Sequence, residues 1–228
     1  MFQRAGEGGA SKGAGVSKTV AFGDGMEDEL DPVASEILSF WFGDMGESHV
    51  KKWFAKDPEF DATIKEKYEK LIVSAADGED RKLSAWESHP LNALAAILVL
   101  DQFPRNAFRG EFDSFAYCGA ALLVAQKSIF RKFDQSPDVH FMQRHFFYLP
   151  YMHHELITVQ DKSVELYEKY VADAPAEHKE WAENTLKYAI AHRDIIARFG
   201  RFPHRNEALE RKSTPEEIEF LKTPGSSF

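Results

Sequence analysis

The stretch Asp101-Gln102-Phe103-Pro104-Arg105-Asn106-Ala107-Phe108-Arg109-Gly110 decides how the chain is read. It closes the most apolar run, Leu94 to Leu100, and returns in altered form as Arg201-Phe202-Pro203-His204-Arg205-Asn206. In each copy a helical pattern meets a Phe-Pro step, and the residue before a proline is pushed away from helical dihedrals. Each copy is therefore expected to end a helix, Pro104 closing the first, and to present an arginine and an asparagine in the turn.

Outward from these turns the start and stop signals are helical. Asp31-Pro32 combines an N-cap with proline at the first helical position, and Val33, Ile37, Leu38, Phe40 and Trp41 follow to Gly43. Asp57-Pro58 repeats the signal for a helix through Phe60, Ile64, Tyr68, Leu71 and Ile72 to Asp77-Gly78, and a polar linker around 79–82 follows. His89-Pro90 opens a third helix through Leu94, Ile97, Leu98 and Asp101. Asp113 is expected to cap a fourth helix that packs through Ala116, Ala120, Leu123 and Val124. A fifth is expected from about Pro137, with Phe141, His145 and Tyr148 on one stripe and an interruption at Pro150. Val164, Tyr167 and Val171 mark another. The last long one is expected from Pro175 to Phe199, with Trp181, Tyr188, His192, Ile195 and Phe199 inward and Gly200 as a left-handed cap. Thr214-Pro-Glu-Glu217 is a capping box.

No period-two run interrupts this pattern, so the fold class is all-α, built of antiparallel helical hairpins. Residues 1–28 hold seven of the 14 glycines and read as a disordered Gly/Ser-rich tail, leaving 29–228 as a single all-helical domain. Phe103 and Phe202 lie 99 residues apart, close to three units of the tetratricopeptide length, but that repeat's signature is missing.

Composition narrows the function. A formal charge of −9 repels phosphate backbones and anionic surfaces, and no dense Lys/Arg run offsets it, so neither nucleic acid nor membrane is an expected partner. The longest apolar stretch is too short to span a bilayer and no secretory signal is visible, which gives a cytoplasmic expectation, with an organellar address in the tail left open. Cys118 is the only cysteine, which removes an intramolecular disulfide and any cysteine cluster; its surroundings read as a buried helix.

Leu100-Asp-Gln-Phe-Pro-Arg-Asn106, Tyr148-Leu-Pro-Tyr-Met-His153 with Glu155, and His192-Arg-Asp-Ile-Ile with Phe199-Gly-Arg-Phe-Pro-His-Arg-Asn206 resemble the domain-of-unknown-function 924 family. The likeness runs from Phe40-Trp-Phe-Gly43 to the final Ser226-Ser-Phe228. It implies a tetratricopeptide-like compact superhelix and carries no activity. Two positions depart from the family pattern: His154 replaces a small residue, and Glu210 stands where glycine is expected before Arg211.

The chemistry-bearing residues admit two readings. Asp101, Arg105, Asn106, Arg201, Arg205 and Asn206 form either polar clasps between hairpins or an anion site, since the guanidinium fork suits a carboxylate or phosphate. His192, on an inward stripe, is either a core histidine or joins His153, Glu155 and His204 in a pocket of imidazoles and one carboxylate. Such a set suits either zinc or another divalent metal, or acid–base chemistry. It lacks the His-Glu-x-x-His spacing, so no metal is assigned and no cofactor is called for. A serine elbow, a thiolate cue at Cys118 and a phosphate-binding glycine loop are all missing from the sequence. The leading expectation is a helical scaffold or binding protein taking a protein or peptide partner, or a small anionic ligand. The alternative is an enzyme with a His/Glu/Arg pocket acting on a small anionic substrate, with or without the assistance of a metal. A third expectation is a purely structural subunit whose exposed aromatics near Trp41 and Trp53 form a homo-oligomer contact.

Overall fold

The computed structural model describes residues 29–76 and 85–227. Every regular element among them is helical. The sequence expectations for 1–28 and for the 79–82 linker lie outside the described residues.

The chain opens with α1 (Pro32–Phe42), where Asp31 accepts from the Val33 amide at 2.7 Å. Asn92 fastens this start, accepting from the Asp31 amide and donating to the Glu29 carbonyl. After α2 (Glu47–Lys52) and α3 (Pro58–Ala76) comes α4 (Pro90–Ile97), capped by His89. Every residue of α4 from Asn92 to Ile97 is buried.

Pro104 does not end this helix. The chain runs through a π-helical turn, Leu98–Gln102, directly into α5 (Phe103–Ala107), with the Phe103 amide donating to the Leu98 carbonyl. Proline lacks the amide that would bond four residues back and its ring crowds that carbonyl. A turn widened by one residue accommodates both defects. The same turn carries Asp101 and Gln102, both buried.

The next boundary also differs from expectation. Asp113 caps nothing: Phe112–Ser114 is a 3-10 turn and α6 spans Cys118–Phe130. Its buried face is Ala121, Leu122, Val124 and Ala125, while Ala116, Ala120 and Leu123 are exposed. Cys118, at its first residue, is half-buried. α7 (Phe141–Met152) starts at His140, which forms a capping box with Gln143, and it carries Pro150 inside. α8 (Ile157–Ala172) and α9 (Lys179–Phe199) run back against each other over their length, joined by a 3-10 turn at Ala176–His178 where a helix start at Pro175 is expected. On α9, Thr185, His192 and Ile195 are buried, whereas Tyr188 is exposed and Phe199 only half-buried. Gly200 takes φ +69° as the cap, and α10 (Pro215–Phe220) begins with the Thr214–Glu217 capping box.

One apolar core runs from α1 to α9; Ile195, Ile196 and Phe202 form a second, small one. At its centre the Phe146 ring lies edge-on to Trp41, Phe42 and Trp53 at 6.1, 5.1 and 5.2 Å. Trp41 and Trp53 are 1% and 2% exposed, so these two rings themselves offer no surface to the expected oligomer contact.

Glu210 keeps the turn a glycine would make by taking φ +51°, which turns the chain so that the Arg211 amide reaches the Asn206 carbonyl. That conformation brings Cβ close to the following carbonyl and costs about 1 kcal/mol for a residue other than glycine. Glu210→Gly is expected to stabilise the fold by about 0.5–1 kcal/mol in urea unfolding, with the m-value unchanged. Phe146→Ala should cost about 3–5 kcal/mol in the same assay, because the surrounding rings cannot collapse into the space.

Candidate functional site

Asp101 organises the site. Its side chain is fully buried, and it accepts from Gln102 Nε2 at 2.6 Å, from Arg105 Nη2 at 3.3 Å, and from His153 Nδ1 at 2.8 Å to each oxygen. Burial alone would raise the carboxyl; His153 and Arg105, with the hydrogen bonds from His153 and Gln102, outweigh burial and hold it well below the usual carboxylate range. His153, which ends α7, is pushed down by burial and by Arg105. The pair therefore stands as an ionised carboxylate and a neutral imidazole. An ionised carboxylate only accepts, so the imidazole hydrogen resides on Nδ1.

His153 of this pair lines a cavity of ≈ 670 Å³, with Asp101 buried behind it. Gln102, Arg105 and Asn106 enter it from the π turn and α5, His153 from the end of α7, and Trp181, Thr185 and His192 from α9. His204 and Arg205 reach it from the second Phe-Pro turn, a 3-10 turn over Pro203–Arg205. The aromatic walls are Trp53, Phe54 and Phe115.

The two Phe-Pro copies, far apart in sequence, meet here. The Arg105 and Arg205 guanidinium carbons lie 5.5 and 4.8 Å from the centre of the same ring, Phe115. Arg105 also donates to Cys118 Sγ at 3.4 Å. Arg205 is 4% exposed, and no carboxylate among the described residues forms an ion pair with it. Burial and the neighbouring Arg105 charge pull it down to about 9, still protonated at neutral pH. The Nε atoms of both arginines are buried without a hydrogen-bond partner among the described residues.

The imidazoles are neutral. His192 donates Nδ1–H to the Tyr188 carbonyl at 2.7 Å, and its charge is disfavoured by burial and then by His153. His204 is pushed down to about 3, by burial, Arg205 and Arg105. His145, on the cavity wall, is pushed to about 3 by burial. Among the described residues no three of His, Cys, Asp and Glu are grouped to hold a metal ion.

Of the sequence-picked residues, Asp101, Arg105, Asn106, His153, His192, His204 and Arg205 are brought together. Glu155, Arg201 and Asn206 are not. Glu155 accepts from Arg211 at 2.6 and 3.0 Å and from the Phe202 amide. Arg201 donates to both Glu217 oxygens at 2.6 and 2.8 Å, and Asn206 bridges Glu217 and Ser213. The carboxylate that holds the pocket's Arg105 and His153 from behind is therefore Asp101, not Glu155, and the pocket's cations include Arg105 and Arg205 but not Arg201.

Each Phe-Pro copy divides its work the same way. In the first, Asn106 and Arg109 hold the Asp61 carboxylate at 2.7 to 2.9 Å while Arg105 faces the cavity. In the second, Asn206 and Arg201 hold Glu217 while Arg205 faces it. Clasp and site are both present, in different residues of one motif. Sequence reasoning missed Phe115, which carries no signal, and His145 and Trp181, whose helical stripes read as core.

The fold and this site define an all-α protein with an arginine- and histidine-lined cavity. The chain belongs to the family described as bacterial protein of unknown function (DUF924), which it matches over residues 37–225. It is similar to a solved structure titled a protein of unknown function, ATU0120, from Agrobacterium tumefaciens. Identity is 37%, the match covers 83% of this chain and 97% of that one, and the TM-score is 0.68. No curated protein matches the chain. No described helix is long and apolar enough to cross a membrane.

Glu217 is held down to about 2, chiefly by the Arg201 hydrogen bonds. A carboxyl depressed in the folded state contributes stability above its unfolded value, near 4.5, and loses it as pH falls through about 2. Glu217→Gln should therefore destabilise the protein at pH 7, with the deficit against the native chain narrowing between pH 4.5 and pH 2 in denaturant titrations.

Proposed function

We propose that this protein binds a small organic anion in the cavity between the two Phe-Pro turns. The observation that carries this reading is Arg205: a buried, protonated guanidinium without an ion-pair partner among the described residues, facing an open space beside a second arginine. A buried unpaired charge costs several kcal/mol, and an anion entering between the two forks would offset that cost. The volume suits a small molecule rather than a helix, which favours the anion over the peptide or partner-helix alternative. Short-loop helical hairpins such as α8–α9 support a tetratricopeptide-like arrangement with the cavity on its inner side.

The enzyme reading has one observation in its favour, the Asp101–His153 pair. Its imidazole is a weak base at neutral pH, because burial and Arg105 both disfavour its charged form, and general-base catalysis works best near the operating pH. Binding is the better-supported function.

Arg205→Met separates a site from a clasp. As part of a ligand site, Arg205 is replaced with Tm unchanged or raised, since a costly charge is removed, while affinity for a carboxylate such as 3-phenylpropionate falls by about 2 kcal/mol, roughly thirtyfold. Calorimetry and quenching of Trp53 and Trp181 fluorescence report the binding. A large loss of Tm with no anion binding to the native protein would return Arg205 to a structural role.

A further inference from the structure

The cavity presents three chemically different surfaces, and together they restrict the anion. The first is charge. Asp101 compensates one of the two cavity arginines, and Arg109, which also borders the cavity, is engaged by Asp61. Lys56 borders it too but is exposed, so solvent screens it. With the imidazoles neutral, the described residues leave one positive charge over in the interior. A singly charged anion balances it; a phosphomonoester dianion would leave a surplus negative charge in a poorly solvated space.

The second surface is an acceptor. His153 Nδ1 is committed to Asp101, and Nε2 of this cavity-lining ring has no hydrogen-bond partner among the described residues. Because the hydrogen is fixed on Nδ1, Nε2 offers a lone pair. Arg105 and His153 bond the same oxygen, Asp101 Oδ1, at 3.3 and 2.8 Å, so this acceptor lies next to the cationic end of the cavity. The third surface is apolar: Trp53, Phe54, Leu149, Met152 and Trp181 form walls that can receive a ring or a branched chain.

Resting on the anion-binding reading above, we propose that the ligand is a hydroxy-substituted monocarboxylate with an aromatic or branched apolar body: the carboxylate between Arg105 and Arg205, the adjacent hydroxyl donating to His153 Nε2, and the body against the tryptophans. Asp101 is then a positioning residue. Its charge fixes the imidazole tautomer and so determines which ligand group is accepted.

Three compounds differing at one carbon test this by calorimetry on the full chain: 3-phenyllactate, 3-phenylpropionate and phenylpyruvate. The hydroxy acid is expected to bind about tenfold more tightly than either analogue, since one lacks the donor and the other presents a second acceptor to the lone pair. Asp101→Asn lets the amide donate to Nδ1 and moves the imidazole hydrogen to Nε2; the order should then reverse in favour of the keto acid. If that variant fails to fold, the native protein's ratios still decide. Equal affinity for all three would overturn the hydroxyl assignment and leave the anion site standing. Binding of none would overturn the anion site and this proposal with it.

Discussion

A carboxylate with no exposed surface must be fully hydrogen-bonded or it unfolds what surrounds it. Asp101 meets that demand with three partners from three places: Gln102 beside it, Arg105 one turn on, and His153 at the end of a different helix. The apolar α4–α5 segment and α7 are thereby tied together at a buried charge. The same bonds fix the His153 tautomer and direct Arg105. Tertiary packing and site chemistry thus depend on a single ionised group.

That group is where it is because of proline. A regular helix would have placed the residues after Leu98 about 100° apart without a break, and Pro104 would have left the carbonyl four residues back without its partner. The π turn resolves the clash and turns Asp101 and Gln102 inward. In the second copy the chain has already left its helix at Gly200, so Phe202-Pro203 lies in a short 3-10 turn. The two copies therefore differ in backbone yet reach the same division of labour, with an asparagine and one arginine holding a carboxylate and the other arginine left for the cavity.

The electrostatic character of the cavity follows from crowding. Burial pushes His145, His153, His192 and His204 toward the neutral form, and the cavity's guanidinium groups add to it at His153, His192 and His204. Neutral imidazoles hydrogen-bond well and abstract protons poorly. The interior is consequently suited to recognising a charge and a polar substituent, with tryptophan and phenylalanine walls supplying the apolar contact.

The sequence by itself determined the helical class, the caps at Asp31, His89, Gly200 and Thr214, and six of the residues that line the cavity, with Asp101 behind them. These are local or periodic features, set by dihedral preference, side-chain capping and burial of one helical face. The Glu210 departure was legible too, since a glycine pattern marks a left-handed turn. Pro104 and Pro150 misled, because a proline's local preference against helix yields to a buried helix whose neighbours hold it together. So did Ala116, Ala120 and Leu123, one residue out of phase with the real face of α6. What only the tertiary structure decided was the sorting: Glu155, Arg201 and Asn206 into clasps, Arg105 and Arg205 toward one ring, and Asp101 rather than Glu155 as the cavity's carboxylate. The spacing of charges along a chain does not say which opposite charge each will meet. That depends on contacts between residues tens of positions apart, fixed only when the helices pack.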